Sequence, residues 1–216
     1  MGRKIFVTAT DTGAGKTWVT ASVIRALLDE GKNAKAIKPI ACGLDVDGRN
    51  EDIDALLAAQ SLDDADQISL YRYHLAAAPS QAAAAEGQAV DTKTLVEWCE
   101  AEVCKVDFCL IEGVGGLMVP VSDRWLVSDW INAIPDAEIW LVVGCRLGAI
   151  NQTLLTLEKL KQMGRTPARI FFNAATAEQN DWITSTRQAV KPFLNQECRI
   201  HCLNHGEKPD ISLPGT

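Results

Sequence analysis

The 216-residue sequence lacks the features that direct a protein to membranes or nucleic acid. It contains no apolar run near the ~20 residues that a membrane-spanning helix needs. Its amino terminus leads into a predicted strand, without the charged and then apolar leader of a secreted protein. The net charge is −7 and no basic stripe is present, which argues against nucleic acid or an anionic membrane as the main partner.

The seven cysteines do not indicate a disulfide framework, because their number is odd and they are scattered along the chain. They fit a reducing compartment, and we expect the protein in the cytoplasm. Residues 198–205 (C-R-I-H-C-L-N-H) form the one cluster with zinc-binding residue types, but its spacing matches no common zinc signature. The alternation of Cys198, Ile200 and Cys202 indicates a buried strand equally well.

No repeat, linker or low-complexity tract divides the chain, so we predict one domain over residues 1–216 with a loosely held tail from residue 205. Strand and helix patterns alternate, which predicts an α/β fold with an open, mainly parallel sheet and helices on both faces. The predicted strands are residues 4–8, 34–37, 108–111, 139–143 and 170–172, and the predicted helices are 17–30, 53–60, 82–86, 95–103, 127–133, 148–163 and 181–194.

A glycine-containing loop follows the first predicted strand and opens the first predicted helix. It reads T-A-T-D-T-G-A-G-K-T over residues 8–17. Free backbone N–H groups and the positive end of the helix dipole bind phosphate in such a loop. Lys16 can reach the β- and γ-phosphates, and the Thr17 hydroxyl is placed to ligate Mg²⁺. The usual pattern has glycine where this chain has Thr10, but the strand–loop–helix context still predicts nucleoside triphosphate binding and a P-loop NTPase-like fold.

Polar side chains also follow other predicted strands, at the sheet edge where ligands of open parallel sheets bind. Glu112 is placed like a Walker-B carboxylate and is expected to hold Mg²⁺ opposite Thr17. Lys38 would neutralise charge that develops in phosphoryl transfer, although its spacing fits a solvated strand-end lysine equally well. Asn173 ends a further strand. Asp54, judged by position alone, fits an ordinary helix-start residue better than a ligand.

Together these segments resemble the dethiobiotin synthetase family. They occur in that family's order over residues 5–173, and the variant loop with Thr-Asp-Thr is itself characteristic of the family. The carboxyl-terminal stretch matches weakly. The matching segments are T-D-T-G-A-G-K-T at 10–17, K-P-I-A-C-G at 38–43, D-A-L at 54–56, A-P-S at 78–80, E-G-V-G-G at 112–116 and L-G-A-I-N at 147–151.

The resemblance implies an ATP- and Mg²⁺-dependent cyclo-ligase of biotin biosynthesis. Its substrate would be 7,8-diaminononanoate, which takes up CO₂ as a carbamate on one amine. The γ-phosphate would activate that carbamate, and the second amine would close the ureido ring of dethiobiotin with release of ADP and phosphate. The resemblance also implies a homodimer with shared active sites, in which the substrate carboxylate docks on the partner's helix end at residues 148–151.

The resemblance assigns roles to individual residues. Lys16 and Lys38 would act on the carbamate and the transferring phosphoryl group, with Thr12 in the same pocket. Mg²⁺ would be held by Thr17, Asp54 and Glu112. The nucleotide would be bound by Gly13, Ala14, Gly15, Lys16, Thr17, Asp54, Glu112, Gly113, Val114, Gly115 and Asn173, with Asn173 reading the adenine. The substrate would contact Thr12, Lys38, Cys42, Gly115 and Asn151.

Two residues depart from the family pattern. Gly13 stands where some members have glutamate, and Cys42 replaces the expected serine or threonine hydroxyl with a thiol, a weaker donor. Both changes affect expected substrate affinity more than the reaction.

The main alternative is a switch ATPase of the partition or septum-positioning type. Such proteins carry a signature lysine five residues before the loop lysine, where this chain has Asp11. A cobyrinate-type amidotransferase would need a glutaminase domain for which 216 residues leave no room. A non-catalytic binding module is disfavoured because the lysines, carboxylates and threonine of the predicted site occur together.

Overall fold

The computed structural model describes residues 2–209. Its ten strands and seven helices within this range alternate largely as predicted. The strands are β1 Arg3–Ala9, β2 Ala34–Ile37, β3 Ile40–Cys42, β4 Tyr71–Tyr73, β5 Phe108–Gly116, β6 Pro120–Ser122, β7 Trp125–Leu126, β8 Glu138–Gly144, β9 Pro167–Asn173 and β10 Arg199–Leu203. The helices are α1 Lys16–Asp29, α2 Glu51–Gln60, α3 Pro79–Ala85, α4 Thr92–Val103, α5 Val127–Ala133, α6 Ala149–Gln162 and α7 Asn180–Val190.

Six strands form the central sheet in the order β10-β9-β8-β1-β5-β2, and every neighbouring pair is parallel. β1 lies inside the sheet, between β5 and β8. The loop after β1 therefore leaves the carboxyl edge where the strand order changes direction along the chain, which is the usual ligand-binding position in such sheets.

The buried side chains of β1 and β8 alternate between the two faces of the sheet, as a pleated strand requires. On one face, Val7 and Val142 pack with apolar residues of α1 and α2. On the other face, Phe6 packs with α4 and α5, and its ring meets Trp130 edge-on with the ring centres 5.1 Å apart. Leu141 packs on this second face with residues of α6 and α7. Helices thus cover both faces, which confirms the predicted architecture.

The structure differs from the sequence prediction in several elements. β5 does not end near Glu112 but continues through the glycines to Gly116. The short pairs β3–β4 and β6–β7 were not predicted. The last predicted helix ends at Val190, and a 3₁₀ turn covers Lys191–Phe193. Pro192 explains this end, because proline has no N–H to continue the α-helical hydrogen bonds.

The segment 198–205 contains the edge strand β10. His201 and Cys202 are consecutive strand residues and therefore point to opposite faces of the sheet. The His201 ring stacks on Phe171, with 4.7 Å between ring centres. These placements favour the strand interpretation of this segment.

The predicted loose tail falls partly outside the described residues, because the description ends at residue 209. Within that range, the His205 N–H donates to Asn180 Oδ1 at 2.8 Å, and Pro209 is buried. Residues 205–209 are thus in contact with the body of the protein. No helix among residues 2–209 is long and apolar enough to cross a membrane.

Candidate functional site

The loop between β1 and α1 leaves the N-terminus of α1 open to an anion. Gly13 and Gly15 adopt left-handed backbone conformations, with φ of 71° and 96°. Gly15 is the N-cap of α1, and no side chain caps this helix end. The first turn of α1 also has no acidic residue. The unpaired N–H groups and the helix dipole therefore leave a site for a negative group at this loop.

Lys16 points from the first turn of α1 into the same region and is only 7% exposed. Its ammonium group donates to the Gly115 carbonyl of β5 at 3.1 Å and lies 3.5 Å from the Asp11 carbonyl. Burial lowers the pKa of Lys16 to about 8. An anionic ligand would offset this desolvation, so the lysine is suited to a phosphate.

A cluster of four polar side chains lies beside the loop. The ammonium group of Lys38 donates to Asp52 Oδ2 at 2.5 Å and to Glu112 Oε1 at 2.7 Å. The Thr17 hydroxyl lies 2.7 Å from Asp52 Oδ1 and 2.7 Å from Glu112 Oε1. Glu112 is fully buried and Lys38 is 4% exposed. The cluster thus holds two carboxylates, a lysine and a hydroxyl next to the phosphate loop.

Neighbouring elements bring these side chains together. β2 pairs with β5, with Ile37 opposite Ile111, so the next residues along each strand, Lys38 and Glu112, lie side by side. Asp52 belongs to the first turn of α2. The side chain of Asn50 caps that helix by accepting from the N–H groups of Asp52 and Ile53, which fixes where α2 begins.

Charge balance favours the ionised forms of Lys38 and Asp52. Burial alone would raise the pKa of Asp52, but the Lys38 ammonium outweighs burial and lowers it. Burial alone would lower the pKa of Lys38, but Glu112 and Asp52 outweigh burial and raise it. The two shifts agree, so we conclude that Lys38 and Asp52 form a charged pair at neutral pH.

The oxygens of Thr17, Asp52 and Glu112 fit a hard divalent cation such as Mg²⁺. A hydroxyl has one proton, so Thr17 can donate to only one of the two carboxylate oxygens at 2.7 Å. A cation ligated by the hydroxyl and both carboxylates would account for the carboxylate oxygen to which the hydroxyl cannot donate. The buried Oε2 atom of Glu112 has no hydrogen-bond partner within residues 2–209 and is a further available oxygen. Oxygen ligands of this type are those that Mg²⁺ prefers.

A cavity of about 570 Å³ opens in front of the loop and the cluster. One wall consists of the phosphate loop, and the other consists of β3, β5 and the segment before α3. Trp18 stands at the rim, 40% exposed, and its indole N–H donates to the Glu207 carbonyl at 3.0 Å. The lining residues are Thr12, Gly13, Gly15, Lys16, Thr17, Trp18, Lys38, Cys42, Asp52, Ala76, Ala77, Ala78, Val114, Gly115 and Val119.

The sequence is similar to a family of enzymes along most of its length. A family model described as an AAA domain matches residues 3–200. The ATP-dependent dethiobiotin synthetase of Akkermansia muciniphila is 34% identical over 193 residues, which cover 88% of this chain and 87% of that protein. The ATP-dependent dethiobiotin synthetase of Aromatoleum aromaticum is 36% identical over 170 residues, covering 77% and 75%. The chain belongs to the dethiobiotin synthetase family.

Solved structures show the fold that this member of the dethiobiotin synthetase family shares with other proteins. A ParA family ATPase from Chlorobium tepidum superposes with a TM-score of 0.55 and 14% identity, covering 95% of this chain and 86% of that one. The cell division protein FtsY of Thermotoga maritima gives a TM-score of 0.51 and 17% identity, covering 96% and 63%. At these identities the likeness shows the fold alone, and that fold is the predicted P-loop NTPase type.

Most residues suggested by the resemblance to dethiobiotin synthetases lie at this cavity. Glu112 contacts two of the lining residues, Thr17 and Lys38, and Ala14 is a buried residue of the loop itself. Gly113 is turned away, against the ring of Phe6. Asn151 is exposed in the first turn of α6, and that turn does not contribute to the lining given above. Asn173 is buried at the side of the loop, with its amide N–H on the Ala14 carbonyl.

Asp54 must be replaced in the candidate metal site. Its carboxylate is 40% exposed and pairs with Arg49 at 2.8 Å, on the side of α2 away from Thr17 and Glu112. Asp52 occupies the expected place instead. Residues two apart on a helix point to nearly opposite sides, so both cannot face the cluster. A sequence signal for Asp52 existed, because it lies four residues before Leu56, which is buried in the core.

Sequence reasoning also missed Trp18 and the contacts of Asp11. The Asp11 carboxylate pairs with Arg146 at 2.5 Å and accepts from the amide of Gln152 at 3.1 Å. Arg146 belongs to the segment that joins β8 to α6, and Gln152 belongs to the first turn of α6. No local pattern around residue 11 identifies partners so distant in the sequence.

Proposed function

We propose that the protein is an ATP- and Mg²⁺-dependent dethiobiotin synthetase that converts 7,8-diaminononanoate and CO₂ to dethiobiotin, releasing ADP and phosphate. The observation that carries this proposal is the buried cluster of Thr17, Lys38, Asp52 and Glu112 beside Lys16 and the phosphate loop. Curated relatives of similar length that carry this enzyme name support the choice of substrate.

The reaction needs three bonds to form in sequence. One amine of the substrate adds to CO₂ and gives a carbamate, with loss of a proton. A carbamate oxygen then attacks the γ-phosphorus of ATP, and the bond to ADP breaks. The second amine finally attacks the carbamate carbon and loses a proton, and phosphate leaves as the ureido ring closes. Each step develops or moves negative charge on oxygen, which cationic side chains stabilise.

The residues have matching roles in this proposal. The N–H groups of the loop and the ammonium of Lys16 hold the triphosphate. Thr17, Asp52 and Glu112 would hold Mg²⁺, which when bound neutralises phosphate charge. Lys38 lines the cavity beside the two carboxylates, and its ammonium group would stabilise the carbamate and the transferring phosphoryl group. This is the ligase chemistry that the site supports best.

The diamine would occupy the part of the cavity lined by Thr12, Cys42 and Gly115. Burial raises the pKa of the Cys42 thiol to about 11, so the thiol stays protonated at neutral pH. A protonated thiol can donate a weak hydrogen bond to the carbamate. Cys42 can thus replace a hydroxyl in orientation of the substrate, with lower strength.

We also propose that two copies of the chain form a dimer through α6. Near the start of this helix, Leu147 is 78% exposed and Ile150 is 40% exposed, and Leu155 further along is 63% exposed. Gly148 caps α6 in a left-handed conformation and no side chain caps its N–H groups. In the dimer these N–H groups and Asn151 would receive the substrate carboxylate in the partner's site.

The decisive experiment measures product and ADP together. Purified protein with ATP and Mg²⁺ is given 7,8-diaminononanoate, bicarbonate, both or neither, and dethiobiotin is identified by mass spectrometry. We expect dethiobiotin and ADP in equal amounts only when both are present. ADP release that is indifferent to both compounds would instead indicate a switch ATPase. The Asp11 carboxylate, which replaces the signature lysine of that class, makes that outcome unexpected.

A further inference from the structure

The phosphate loop, residues 8–17, carries a carboxylate of its own, that of Asp11. Because the ligand expected at this loop is an anion, a carboxylate turned toward it would repel the ligand and compete for its cationic partner. Thr12 and Gly13 belong to the cavity lining given above, whereas Asp11 does not. The Asp11 side chain is therefore held on another side of the loop.

Three donors hold the Asp11 carboxylate in place. Its Oδ1 accepts from the backbone N–H of Thr12 at 2.8 Å. Its Oδ2 accepts from the guanidinium group of Arg146 at 2.5 Å and from the side-chain amide of Gln152 at 3.1 Å. Of these three donors only Arg146 brings a full charge, and charge-assisted hydrogen bonds are stronger than neutral ones. Arg146 is thus the main restraint on the direction of this carboxylate.

The backbones on both sides of this ion pair are anchored near the end of β8. The carbonyl of Arg146 accepts from the N–H of Ala149, the first residue of α6, at 3.0 Å. In the loop, the N–H of Thr10 donates to the carbonyl of Val142 on β8 at 3.0 Å. The side chains of Asp11 and Arg146 are each 44% exposed. An ion pair with this exposure contributes little to the stability of a fold, so stability alone does not explain it.

Lys16 is the cation that a released Asp11 carboxylate would meet. Its buried ammonium group lies 3.5 Å from the carbonyl oxygen of Asp11 and donates to the Gly115 carbonyl at 3.1 Å. The side chain of aspartate is short, so rotation of the Asp11 side chain would bring its carboxylate toward this ammonium group. A carboxylate is a stronger partner for an ammonium group than a carbonyl oxygen is.

We propose that Arg146 is a positioning residue for triphosphate binding, which holds the Asp11 carboxylate away from Lys16 and so keeps the Lys16 ammonium available to phosphate. The proposal rests on the proposed function only in assuming that this loop binds a triphosphate. Arg146 acts through Asp11 and does not need to touch the ligand. Without Arg146, the Asp11 carboxylate pairs with Lys16, and a phosphate must displace it in order to bind.

The test is a double-mutant cycle on the affinity for ATP. Dissociation constants are measured by calorimetry on the wild-type protein, Arg146→Gln, Asp11→Asn and the double variant. We expect Arg146→Gln to weaken ATP binding by about tenfold, because a carboxylate of the protein then competes for Lys16. Asp11→Asn alone should bind ATP at least as tightly as the wild-type protein. In the Asp11→Asn background, Arg146→Gln should change the affinity by less than about twofold, because no carboxylate remains to be released.

Two further variants are controls for this cycle. Arg146→Lys keeps a cation that can pair with Asp11 and should retain most of the affinity for ATP. Lys93→Gln removes one positive charge from an exposed ion pair with Glu97 on α4, a helix that does not contribute to the cavity lining given above. It should leave the dissociation constant for ATP unchanged. Thermal unfolding of each variant, followed by circular dichroism, shows that the compared proteins are folded.

Other outcomes would overturn the proposal. If Arg146 acts on the phosphates directly, Arg146→Gln weakens ATP binding by the same factor whether residue 11 is aspartate or asparagine. If the ion pair only supports the fold, Arg146→Gln and Asp11→Asn lower the melting temperature while the dissociation constants for ATP stay unchanged. A wild-type protein that does not bind ATP would contradict the proposed function itself.

Discussion

Two aspartates in the first turns of α2 provide a matched pair of substitutions. Asp52 contacts Thr17 and Lys38, whereas Asp54 pairs with the exposed Arg49. We expect Asp52→Asn to raise the Mg²⁺ concentration for half-maximal activity by about tenfold or more, because a ligand charge is lost. Asp54→Asn should change it by less than about twofold, because an exposed ion pair contributes little. A titration of activity against Mg²⁺ makes the comparison, and a larger effect from Asp54 would restore the assignment from the sequence.

The Cys42 thiol offers a prediction about pH. Burial raises its pKa to about 11, so the reactive thiolate is scarce below that pH and increases about tenfold with each pH unit up to it. Iodoacetamide should therefore modify Cys42 slowly at pH 8 even though the residue lines the cavity, and the rate should rise through pH 10. Mass spectrometry of the Cys42 peptide measures the rate. A rate that is already high at pH 8 and independent of pH would contradict a buried, protonated thiol.

At the residue scale, the sequence predicts those site residues that follow directly from a strand. The loop pattern predicts Lys16 and Thr17, and the ends of neighbouring strands predict Lys38 and Glu112. Asp52 was missed because the direction in which a helical side chain points depends on where the helix begins. In the structure, the contacts of Asp52 with Thr17 and Lys38 establish that Asp52 and not Asp54 faces the cluster.

At the scale of the element, β5 joins the core to the site through Gly113. A Cβ at this position would lie 2.8 Å from Phe6 Cε1 and 3.3 Å from the Val7 carbonyl oxygen. The ring of Phe6 cannot move freely, because it packs on the buried Trp130. We expect Gly113→Ala to lower the free energy of unfolding by about 1–3 kcal/mol through overpacking, as measured by urea denaturation.

A second substitution identifies the cause of that loss. In a Phe6→Leu background the ring edge is absent, so Gly113→Ala should be less destabilising than in the wild-type protein. The difference between the two losses is the interaction energy of a double-mutant cycle. Equal losses in both backgrounds would show that the clash is not with Phe6.

The long elements of the fold are predictable, and the short ones are not. β1, α1, β8 and α6 have apolar patterns long enough to show their period. The two- and three-residue strands β3, β4, β6 and β7 have no such pattern, because each exists only by pairing with a partner. β5 was predicted too short because glycine usually ends a strand, whereas here its pairing with β1 continues to Ala9 and Gly116.

At the scale of the whole molecule, the proposed dimer predicts complementation between two inactive variants. Lys16→Ala should abolish turnover by removing charge from the phosphate site, typically by ~10²–10³-fold. Asn151→Trp should block the carboxylate end supplied to the partner. In a mixed dimer with shared sites, one site carries both lesions and the other carries neither. Activity should therefore return on co-expression, up to one working site per mixed dimer.

The control for this experiment is proof that mixed dimers form. Two different affinity tags, one on each variant, allow the mixed species to be isolated in sequence. If each active site lay within one chain, every site in that species would carry one lesion and no activity would return. Isolated mixed dimers without activity would thus contradict the shared site while leaving the proposed reaction untouched.

The position of Trp18 gives the protein a built-in optical signal. Its half-exposed indole stands at the rim of the cavity and donates to the Glu207 carbonyl, whereas none of the other five tryptophans lines the cavity. Indole emission shifts to shorter wavelength when water leaves the ring, so a ligand that fills the cavity should change the light from Trp18 and leave that of the other five tryptophans unaltered. Trp18→Phe should abolish this change without abolishing binding measured by calorimetry. Occupancy of the site can then be followed in real time, in unlabelled protein, from a single side chain.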